Sequence, residues 1–299
     1  MSKAVINAKT ELYAILGDPI GHSLSPVIMN SSFERYEMDR AFLAFRVNGN
    51  ELEMALKALK FFGLKGYVFT MPIKESAIPY MDCINTEAEI IGAINCAKLE
   101  DGKLVGYNTD SRGFWDAIQC HNLKKRPISK AFVMGMGGFG KAAVAQIALQ
   151  GVNEIVVVNH FEETQIMKSF SQFSMRLKNH RPDLKLVIKD WKPSEWDSVV
   201  SSADLIVNAT SNGMYGKGDL DQIFPFEKIE TDAIFFDAVY APLRTKFLER
   251  AGEFGHTTVE GLELLIHQGL CSFEIWTGIR VDANIMRRDA LNFMNQCQG

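Results

Sequence analysis

The chain has 299 residues, of which 47% are hydrophobic and 23% charged, and 32 basic against 36 acidic residues give a net charge of −4. This composition is that of a globular protein with a sizeable core, and the length predicts two domains. No Lys/Arg-rich stripe favours a nucleic-acid partner, and no run of about 18 apolar residues favours a membrane span.

Cysteine and histidine spacing indicates neither a disulfide framework nor a metal site. The five cysteines form no CxxC pair, and the six histidines show no HExxH spacing. Residues 1–9 lack the long apolar segment of a secretory signal. We therefore expect reduced thiols, no bound metal and a cytoplasmic location.

The first third of the chain alternates apolar strands with amphipathic helices. Its first predicted elements are a strand over 12–16, a helix over 26–36, a strand over 41–47, a helix after Asn50 and a strand over 67–71. We expect Asn50 to cap its helix and Pro72 to end the strand before it. Asp101-Gly102 between two apolar segments predicts a β-hairpin. This region therefore predicts an α/β unit of its own.

A glycine-rich turn follows a helix predicted from 113 to about 121. The segment 130–134 predicts a strand, 142–149 gives the apolar face of a helix, and 154–159 predicts a second buried strand. The glycines between strand and helix are Gly135, Gly137, Gly138 and Gly140. Strand, glycine turn and helix are the context of a dinucleotide-binding turn, because glycines let a pyrophosphate approach the backbone N–H groups. A tight turn without a ligand is the alternative.

The rest of the chain continues the alternation of strands and helices. Further strands are predicted over 185–189, 205–208 and 233–237, each after helical or loop sequence, which predicts a parallel sheet. Two helices, over 260–277 and 282–296, end the pattern.

Four polar clusters in the first third lie where an apolar element stops. They occupy residues 23–26, 70–74, 93–95 and 107–110. Ligands bind outside the carboxyl ends of parallel strands, so these clusters are candidates for one binding site. Each also has a plainer interpretation: Ser23 or Ser25 and Asp110 cap helices, and Lys74 is solvated.

Motifs in the same order as those of a known family extend over residues 12–278. The chain resembles the shikimate dehydrogenase family, and within it the quinate/shikimate dehydrogenase branch, in segments 17–26, 70–74, 92–95, 106–110, 135–138, 208–214, 237–240, 261–269 and 273–278. The resemblance implies the α/β class with two α/β domains and a cleft between them. Residues 1–112 plus 262–299 would form the substrate domain, and residues 113–261 a Rossmann-type dinucleotide-binding domain.

The resemblance implies reversible oxidation of a ring hydroxyl, with hydride passing to NAD or NADP. The substrate would be shikimate, giving 3-dehydroshikimate, or quinate, giving 3-dehydroquinate, and the protein would be a monomer or homodimer. The family's catalytic pair matches Lys74 and Asp110, and a lysine that shares a proton with a carboxylate can act as acid or base. The family's substrate contacts match Ser23, Ser25, Thr70, Lys74, Asn95, Asp110, Tyr240 and Gln268.

The cofactor positions of the family also map onto this chain. They match Gly135, Gly137, Gly138, Phe139, Gly140, Asn159, Glu162, Thr210, Val239 and Gly261. NADP-using members carry Arg after the strand-ending Asn, whereas this chain has His160 there and Glu162 two residues on. A carboxylate would repel a 2′-phosphate, which makes NAD the preferred cofactor and NADP a possible one. Alternatively, Glu162 only caps or solvates the next helix, and protonated His160 assists a phosphate.

Three residues depart from the family pattern. Phe139 replaces a small residue in the glycine turn, where it crowds the pyrophosphate or packs beneath it. Arg112 adds a positive charge after the catalytic Asp, and Ala241 replaces an Asn.

Two other functions stay open: a regulatory paralogue with little turnover, and a methyltransferase or flavoprotein that shares only the glycine turn.

Overall fold

The computed structural model describes residues 6–21, 23–215 and 217–297. The chain divides into two compact units. The first runs up to Thr109 and resumes at Ile266, and the second comprises Asp110–Leu265. The sequence placed these boundaries after residues 112 and 261.

The first unit is built on a six-stranded mixed sheet. Its strands are β1 (Glu11–Gly17), β2 (Arg40–Arg46), β3 (Gly66–Phe69), β4 (Cys83–Ile84), β5 (Cys96–Glu100) and β6 (Lys103–Tyr107). They are arranged in the order β2-β1-β3-β5-β6-β4. Strand β5 is antiparallel to both β3 and β6, and the other pairs are parallel. The helices wholly within this unit are α1 (Ser25–Arg35), α2 (Leu52–Phe61), α3 (Thr86–Ile91) and α10 (Ala283–Cys297).

The β-hairpin predicted from Asp101-Gly102 is confirmed. Both residues have positive φ, 49° and 77°, which matches the twist that a two-residue hairpin turn needs. The predicted cap of α2 is wrong, because the helix begins at Leu52 and Glu51 takes the N-cap position. Asn50 lies outside the helix, in the turn before it.

The second unit contains the parallel sheet expected from the sequence. Its strands are β7 (Lys130–Met134), β8 (Glu154–Asn159), β9 (Lys185–Asp190), β10 (Leu205–Asn208), β11 (Ile234–Asp237) and β12 (Thr257–Val259). Their order is β12-β11-β10-β7-β8-β9, and every neighbouring pair is parallel. The strand order reverses between β7 and β10, which is the position where open α/β sheets bind ligands. Helices α5 (Gly138–Leu149), α6 (Thr164–His180), α7 (Asp197–Val200) and α8 (Lys246–Glu253) belong to this unit.

Two further helices carry the chain across the unit boundaries. They are α4 (Thr109–His121) and α9 (Gly261–Thr277). Helix α4 begins four residues before the predicted start at 113, so Asp110 lies in its first turn. In the first unit, Trp276 of α9 donates a hydrogen bond from Nε1 to the carbonyl of Ala97, 3.0 Å away. The indole thereby fixes the end of α9 on strand β5 through a buried polar contact.

Each sheet has its own apolar core. In the second unit, Trp196, Phe224, Phe235 and Phe247 are buried together against the central strands. A buried cluster from β1, β3 and α2 fills the corresponding position in the first unit, which explains why these strands read as apolar runs. Among the described residues, no helix is long and apolar enough to cross a membrane.

Candidate functional site

A cavity of about 350 Å³ opens at the carboxyl ends of β7, β8 and β10 in the second unit. It is lined by Gly135, Gly137, Asn159, His160, Glu163, Ile166, Trp191, Ala209, Thr210, Ser211 and Asn212. The cavity therefore lies at the point where the strand order reverses. The structure brings four of the sequence-predicted cofactor residues to it: Gly135, Gly137, Asn159 and Thr210.

The glycine turn gives this cavity a backbone wall. Gly135 has φ +103°, and a Cβ on Gly140 would lie 2.2 Å from the Gly135 carbonyl oxygen, so neither position accepts a larger residue without a backbone shift. Gly137 occupies the N-cap of α5, and as a glycine it has no side chain to cap the first N–H groups of the helix. The N-terminus of α5, the positive end of the helix dipole, therefore borders the cavity at Gly137.

A buried amide anchors the end of β8 to the glycine turn. The Oδ1 atom of Asn159 accepts the backbone N–H of Met136 at 3.1 Å, and its Nδ2 donates to Glu163 Oε2 at 2.7 Å. The carboxylate that lines the cavity is therefore Glu163. Glu162, the residue indicated by the sequence, is 77% exposed, is absent from the lining and lies 3.5 Å from His160 Nδ1.

His160 and Trp191 form an aromatic border of the same cavity. Their rings stack with centroids 5.0 Å apart and an interplanar angle of 19°. Asp190 at the end of β9 holds this region by accepting the backbone N–H groups of Phe161 and Trp191 at 3.1 and 3.0 Å. No Lys or Arg is among the described residues that line the cavity.

Phe139 packs inside the second unit. Its ring contacts Phe114 of α4 and Phe236 of β11, with centroid distances of 5.7 and 5.8 Å. Of the two positions considered from the sequence, the structure favours packing beneath the turn. Phe139 does not belong to the cavity lining, and neither do Gly138 and Gly140.

A fully buried carboxylate, Asp237, connects the turns after β10 and β11. Its Oδ1 accepts N–H groups from Asn208 Nδ2 and from the Val239 backbone, both at 2.9 Å. Its Oδ2 accepts the Thr245 hydroxyl at 2.6 Å. Burial raises the pKa of this carboxyl from 3.8 to about 6, and the three hydrogen bonds oppose that rise.

The turn after β11 also carries two predicted ligand contacts. A Cβ on Gly261 would lie 2.5 Å from the Val239 carbonyl oxygen, so glycine is required for α9 to begin against this turn. Tyr240 follows Val239 and is partly buried, which raises the pKa of its hydroxyl. The ligand contacts assigned to Val239, Tyr240 and Gly261 stay predictions.

The carboxyl ends of β1 and β3 meet closely in the first unit. A Cβ on Gly17 would lie 2.3 Å from Thr70 Cγ2, and Thr70 donates its backbone N–H to the Leu16 carbonyl at 2.9 Å. Lys74 follows in the next turn, half-buried, and its carbonyl accepts the Ile94 N–H at 3.0 Å. These contacts tie the turns that carry Thr70 and Lys74 to the end of β1 and to the segment leading into β5.

Asn95 and Gln268 are joined through two hydroxyl residues of the first unit. Asn95 Oδ1 accepts the Thr109 backbone N–H at 2.6 Å and the Thr109 hydroxyl at 3.2 Å. The Thr109 hydroxyl also lies 3.2 Å from Ser272 Oγ, and Ser272 donates to the Gln268 carbonyl at 3.0 Å. Each hydroxyl has a single proton, so the Thr109 hydroxyl has Asn95 Oδ1 and Ser272 Oγ as alternative acceptors, whereas the Thr109 backbone N–H donates only to Asn95 Oδ1. The Asn95 amide is consequently oriented with its oxygen toward Thr109.

The remaining predicted residues lie at helix starts. Ser23 Oγ accepts the Ser25 backbone N–H at 3.3 Å, and Ser25 is the buried first residue of α1. The N-cap of α1 is Leu24, which makes no side-chain capping bond, so neither serine is the cap residue. Asp110 is half-buried in the first turn of α4. Its pairing with Lys74 stays a prediction.

Two family models match the chain in the regions that carry these residues. The shikimate dehydrogenase substrate binding domain matches residues 15–97, and the shikimate 5′-dehydrogenase C-terminal domain matches residues 261–291. The relative shikimate dehydrogenase (NADP(+)) of Methanococcus maripaludis is 32% identical over 292 residues, covering 96% of this chain and 99% of that protein. The chain belongs to the shikimate dehydrogenase family.

Solved structures place the whole fold in the same family. Shikimate 5-dehydrogenase from Listeria monocytogenes, in complex with shikimate and NAD, has a TM-score of 0.86 at 30% identity over 95% of this chain and 97% of that chain. A shikimate dehydrogenase in complex with NADP⁺ has a TM-score of 0.84 at 29% identity over 97% and 98% of the two chains. The predicted α/β class, with a substrate domain and a Rossmann-type nucleotide domain, is thereby confirmed.

Several residues around these sites were given no role from the sequence. Thr109 and Asp237 were part of recognised motifs, yet only their hydrogen bonds reveal what they hold. Glu163 is adjacent to Glu162, the acid that the family resemblance indicated. The start of α6 at Thr164 decides which of these two acids lines the cavity. Trp191 and Ser272 gave no sequence signal.

Proposed function

We propose that this member of the shikimate dehydrogenase family oxidises a ring hydroxyl of shikimate reversibly and transfers hydride to a nicotinamide dinucleotide. The observation that carries the proposal is the similarity to shikimate dehydrogenase over 96% of the chain. The buried hydroxyl of Ser25 and the buried amides of Asn95 and Gln268 in the first unit support it, because hydroxyl and amide groups suit a polyol ring. Quinate, which has an added hydroxyl, is the second candidate acid.

In this mechanism Lys74 carries the proton of the reacting hydroxyl, with Asp110 as its partner. Hydride leaves a carbon only as the hydroxyl proton is removed, so a base within hydrogen-bond reach is needed, and it returns the proton in the reverse direction. The Ile94 bond to the Lys74 carbonyl fixes the backbone that carries the amine. Positioning of this kind accounts for a large share of a catalytic effect.

The other substrate groups would orient the ring rather than react. Asn95 turns its Oδ1 to Thr109, so the donor side of the amide is the one suited to an oxygen of the substrate. Ser23, Ser25 and Tyr240 would hold the carboxylate through hydroxyl groups, and Thr70 and Gln268 would hold ring hydroxyls. A deoxy analogue would leave such a buried group unpaired, at a cost of about 1–3 kcal/mol.

The cavity of the second unit fits a dinucleotide. Its backbone wall at Gly135 and Gly137 and the N-terminus of α5 suit a pyrophosphate, and Asn159 and Glu163 suit ribose hydroxyls. The bound dinucleotide supplies the hydride acceptor, its nicotinamide ring. The protein would orient the dinucleotide, and the Glu163 carboxylate would disfavour a ligand that carries a 2′-phosphate.

We propose NAD as the preferred form, with NADP as the alternative. A 2′-phosphate needs a cation, whereas the lining provides the Glu163 carboxylate and neither Lys nor Arg. The relative from Methanococcus maripaludis is named for NADP(+), so the preference rests on the residues of this cavity. Protonated His160 is the group that would favour NADP, and its Nδ1 lies 3.5 Å from a carboxylate oxygen of Glu162, which would repel a 2′-phosphate.

Initial rates of nicotinamide reduction test the proposal with shikimate or quinate combined with NAD or NADP. The expected result is turnover of shikimate, with a higher kcat/KM for NAD than for NADP. Turnover with NADP alone would contradict the cofactor preference but retain the enzyme. No turnover in any of the four combinations would contradict the activity itself.

A further inference from the structure

The hydrogen bonds of Asp237 reach two turns that follow neighbouring strands. Asn208 at the end of β10 donates from Nδ2 to Asp237 Oδ1 and also to the Asn212 carbonyl, each at 2.9 Å. Its Oδ1 accepts the backbone N–H and the hydroxyl of Thr210, at 3.0 and 2.7 Å. Because a carboxylate only accepts, Asp237 decides which end of the Asn208 amide faces Thr210.

Thr210 and Asn212 are part of the cavity wall, so the orientation of Asn208 shapes that wall directly. The chain just after this turn also packs against Thr245, whose hydroxyl donates to the other carboxylate oxygen of Asp237. Gly213, with φ +95°, lies so close to Thr245 that an added Cβ would be 3.2 Å from Thr245 Cγ2. Thr245 in turn caps α8 by accepting the Leu248 N–H at 3.4 Å.

We propose that Asp237 is a positioning residue for dinucleotide binding, which sets the 209–212 turn through Asn208 and the turn at Val239 through its backbone N–H. The inference rests on the proposed function, since it takes the cavity as the dinucleotide site. Asp237 itself is fully buried behind the cavity wall and is not among the lining residues, so it acts through Asn208 and Val239. The neighbouring charged residues Arg244 and Lys246 pair elsewhere, with Glu260 at 3.4 Å and Asp219 at 2.9 Å.

Two variants of Asp237 separate the hydrogen bonds from the charge. In Asp237→Asn, the amide oxygen can still accept from Asn208 and Val239, and the NH₂ group can donate to the Thr245 hydroxyl. In Asp237→Leu, which has a similar shape, all three bonds are lost and the Asn208 amide is released. The Kd values of NAD and NADP, measured by titration calorimetry, are compared with the Kd of shikimate.

We expect the dinucleotide Kd to stay within about threefold in Asp237→Asn and to rise about tenfold or more in Asp237→Leu, as three buried donors lose their acceptor. The shikimate Kd should change less than the dinucleotide Kd in both variants. Equal dinucleotide affinity in wild type and Asp237→Leu would overturn the positioning role. A wild-type protein that binds neither dinucleotide would instead contradict the proposed function.

Asp204→Leu is the matched control, because Asp204 precedes β10 and so lies at the opposite end of the strands from Asn208 and Asp237. Asp204 Oδ2 accepts the backbone N–H groups of Ser129 and Lys130 at 2.8 and 3.1 Å, so its loss should lower Tm without weakening dinucleotide binding. If this control lost as much dinucleotide affinity as Asp237→Leu, lower stability alone would explain the weaker binding, and the inference would be overturned. If Asp237→Leu is unfolded by circular dichroism, Asn208→Ala replaces it, and an unchanged dinucleotide Kd in that variant overturns the proposal.

Discussion

At the scale of single residues, buried amides depend on neighbours that fix which end faces a ligand. Asn95 is 2% exposed, and its oxygen is bound by Thr109 from both the backbone and the side chain. Thr109 therefore orients the amide that is proposed to contact the substrate, without being a predicted contact itself. The same relation holds between Asp237 and Asn208 in the second unit.

Thr109→Val tests this relation in the first unit. The variant keeps the backbone N–H bond to Asn95 and loses the hydroxyl contacts to Asn95 and Ser272. A buried neutral hydrogen bond contributes about 0.5–1.5 kcal/mol, which predicts a rise of about twofold to tenfold in the KM of shikimate. Steady-state kinetics would show this rise with a smaller change in kcat.

Thr109→Ser is the control for Thr109→Val, since it restores the hydroxyl without the methyl group. Its KM should return to within about twofold of wild type, because the lost hydrogen bond is remade. A Ser variant as impaired as the Val variant would show that packing of the methyl group, rather than the hydroxyl, supports Asn95.

Lys74→Ala tests the proton-transfer role. General acid–base catalysis contributes about 10²- to 10⁴-fold, so turnover should fall by that range while the Kd of shikimate changes much less. Lys103→Ala on the exposed start of β6 is the matched control and should leave turnover unchanged. A Lys74→Ala enzyme within threefold of wild-type turnover would remove Lys74 from the mechanism.

At the scale of elements, the sequence predicted strands and turns well where local chemistry decides them. The hairpin at Asp101-Gly102 and the turn at Gly135 follow from backbone conformations that few residues adopt. Helix starts were less predictable: α4 begins at Thr109, within a polar motif that was expected to precede it. The periodicity of apolar residues gives no signal in such a polar first turn.

The candidate sites were predictable only in part, because several of their contacts join residues far apart in the chain. Thr109 and Ser272 are separated by 163 positions, and no local pattern relates them. Glu162 and Glu163 are equivalent in a sequence motif, yet the geometry at the start of α6 brings Glu163 to the cavity. Asp237 was recognisable as a motif member, whereas its three partners emerge only when β10, β11 and α8 are assembled.

The pKa of Asp237 predicts a pH dependence of stability. With a folded-state pKa of about 6 against 3.8, the folded protein binds more protons than the unfolded chain between these values. The contribution of this carboxyl is therefore favourable at low pH and is lost as the pH rises from about 4 to 6. The loss is on the order of 3 kcal/mol, at about 1.4 kcal/mol per unit of pKa.

Asp237→Asn should lack that dependence, because its amide does not titrate. The unfolding free energy of the variant minus that of wild type should rise by a few kcal/mol between pH 4 and pH 7. Urea unfolding of both proteins, followed by tryptophan fluorescence, measures the difference, because three of the four tryptophans (Trp115, Trp191 and Trp196) lie in the same unit as Asp237. A difference that is constant across this range would show that Asp237 titrates in the folded state as it does in the unfolded chain.

At the scale of the whole molecule, the chain combines two units with separate sheets and separate apolar cores. Most predicted substrate contacts belong to the first unit, whereas the cavity proposed for the dinucleotide belongs entirely to the second. A ligand stabilises the state to which it binds, and local opening reactions near its contacts are suppressed most. Each ligand should therefore protect different segments of the chain.

Amide hydrogen exchange measures this separation. NAD is expected to slow exchange in the first turn of α5 and in residues 209–212, and shikimate in the segments around Thr70 and Asn95. Adenosine monophosphate is the control, since it carries the adenine and one phosphate and should protect the second unit alone. Protection by shikimate confined to the second unit would contradict the assignment of Ser23, Ser25, Asn95 and Gln268. Protection by NAD that spares the glycine turn would instead show that the dinucleotide binds somewhere other than the cavity beside β7.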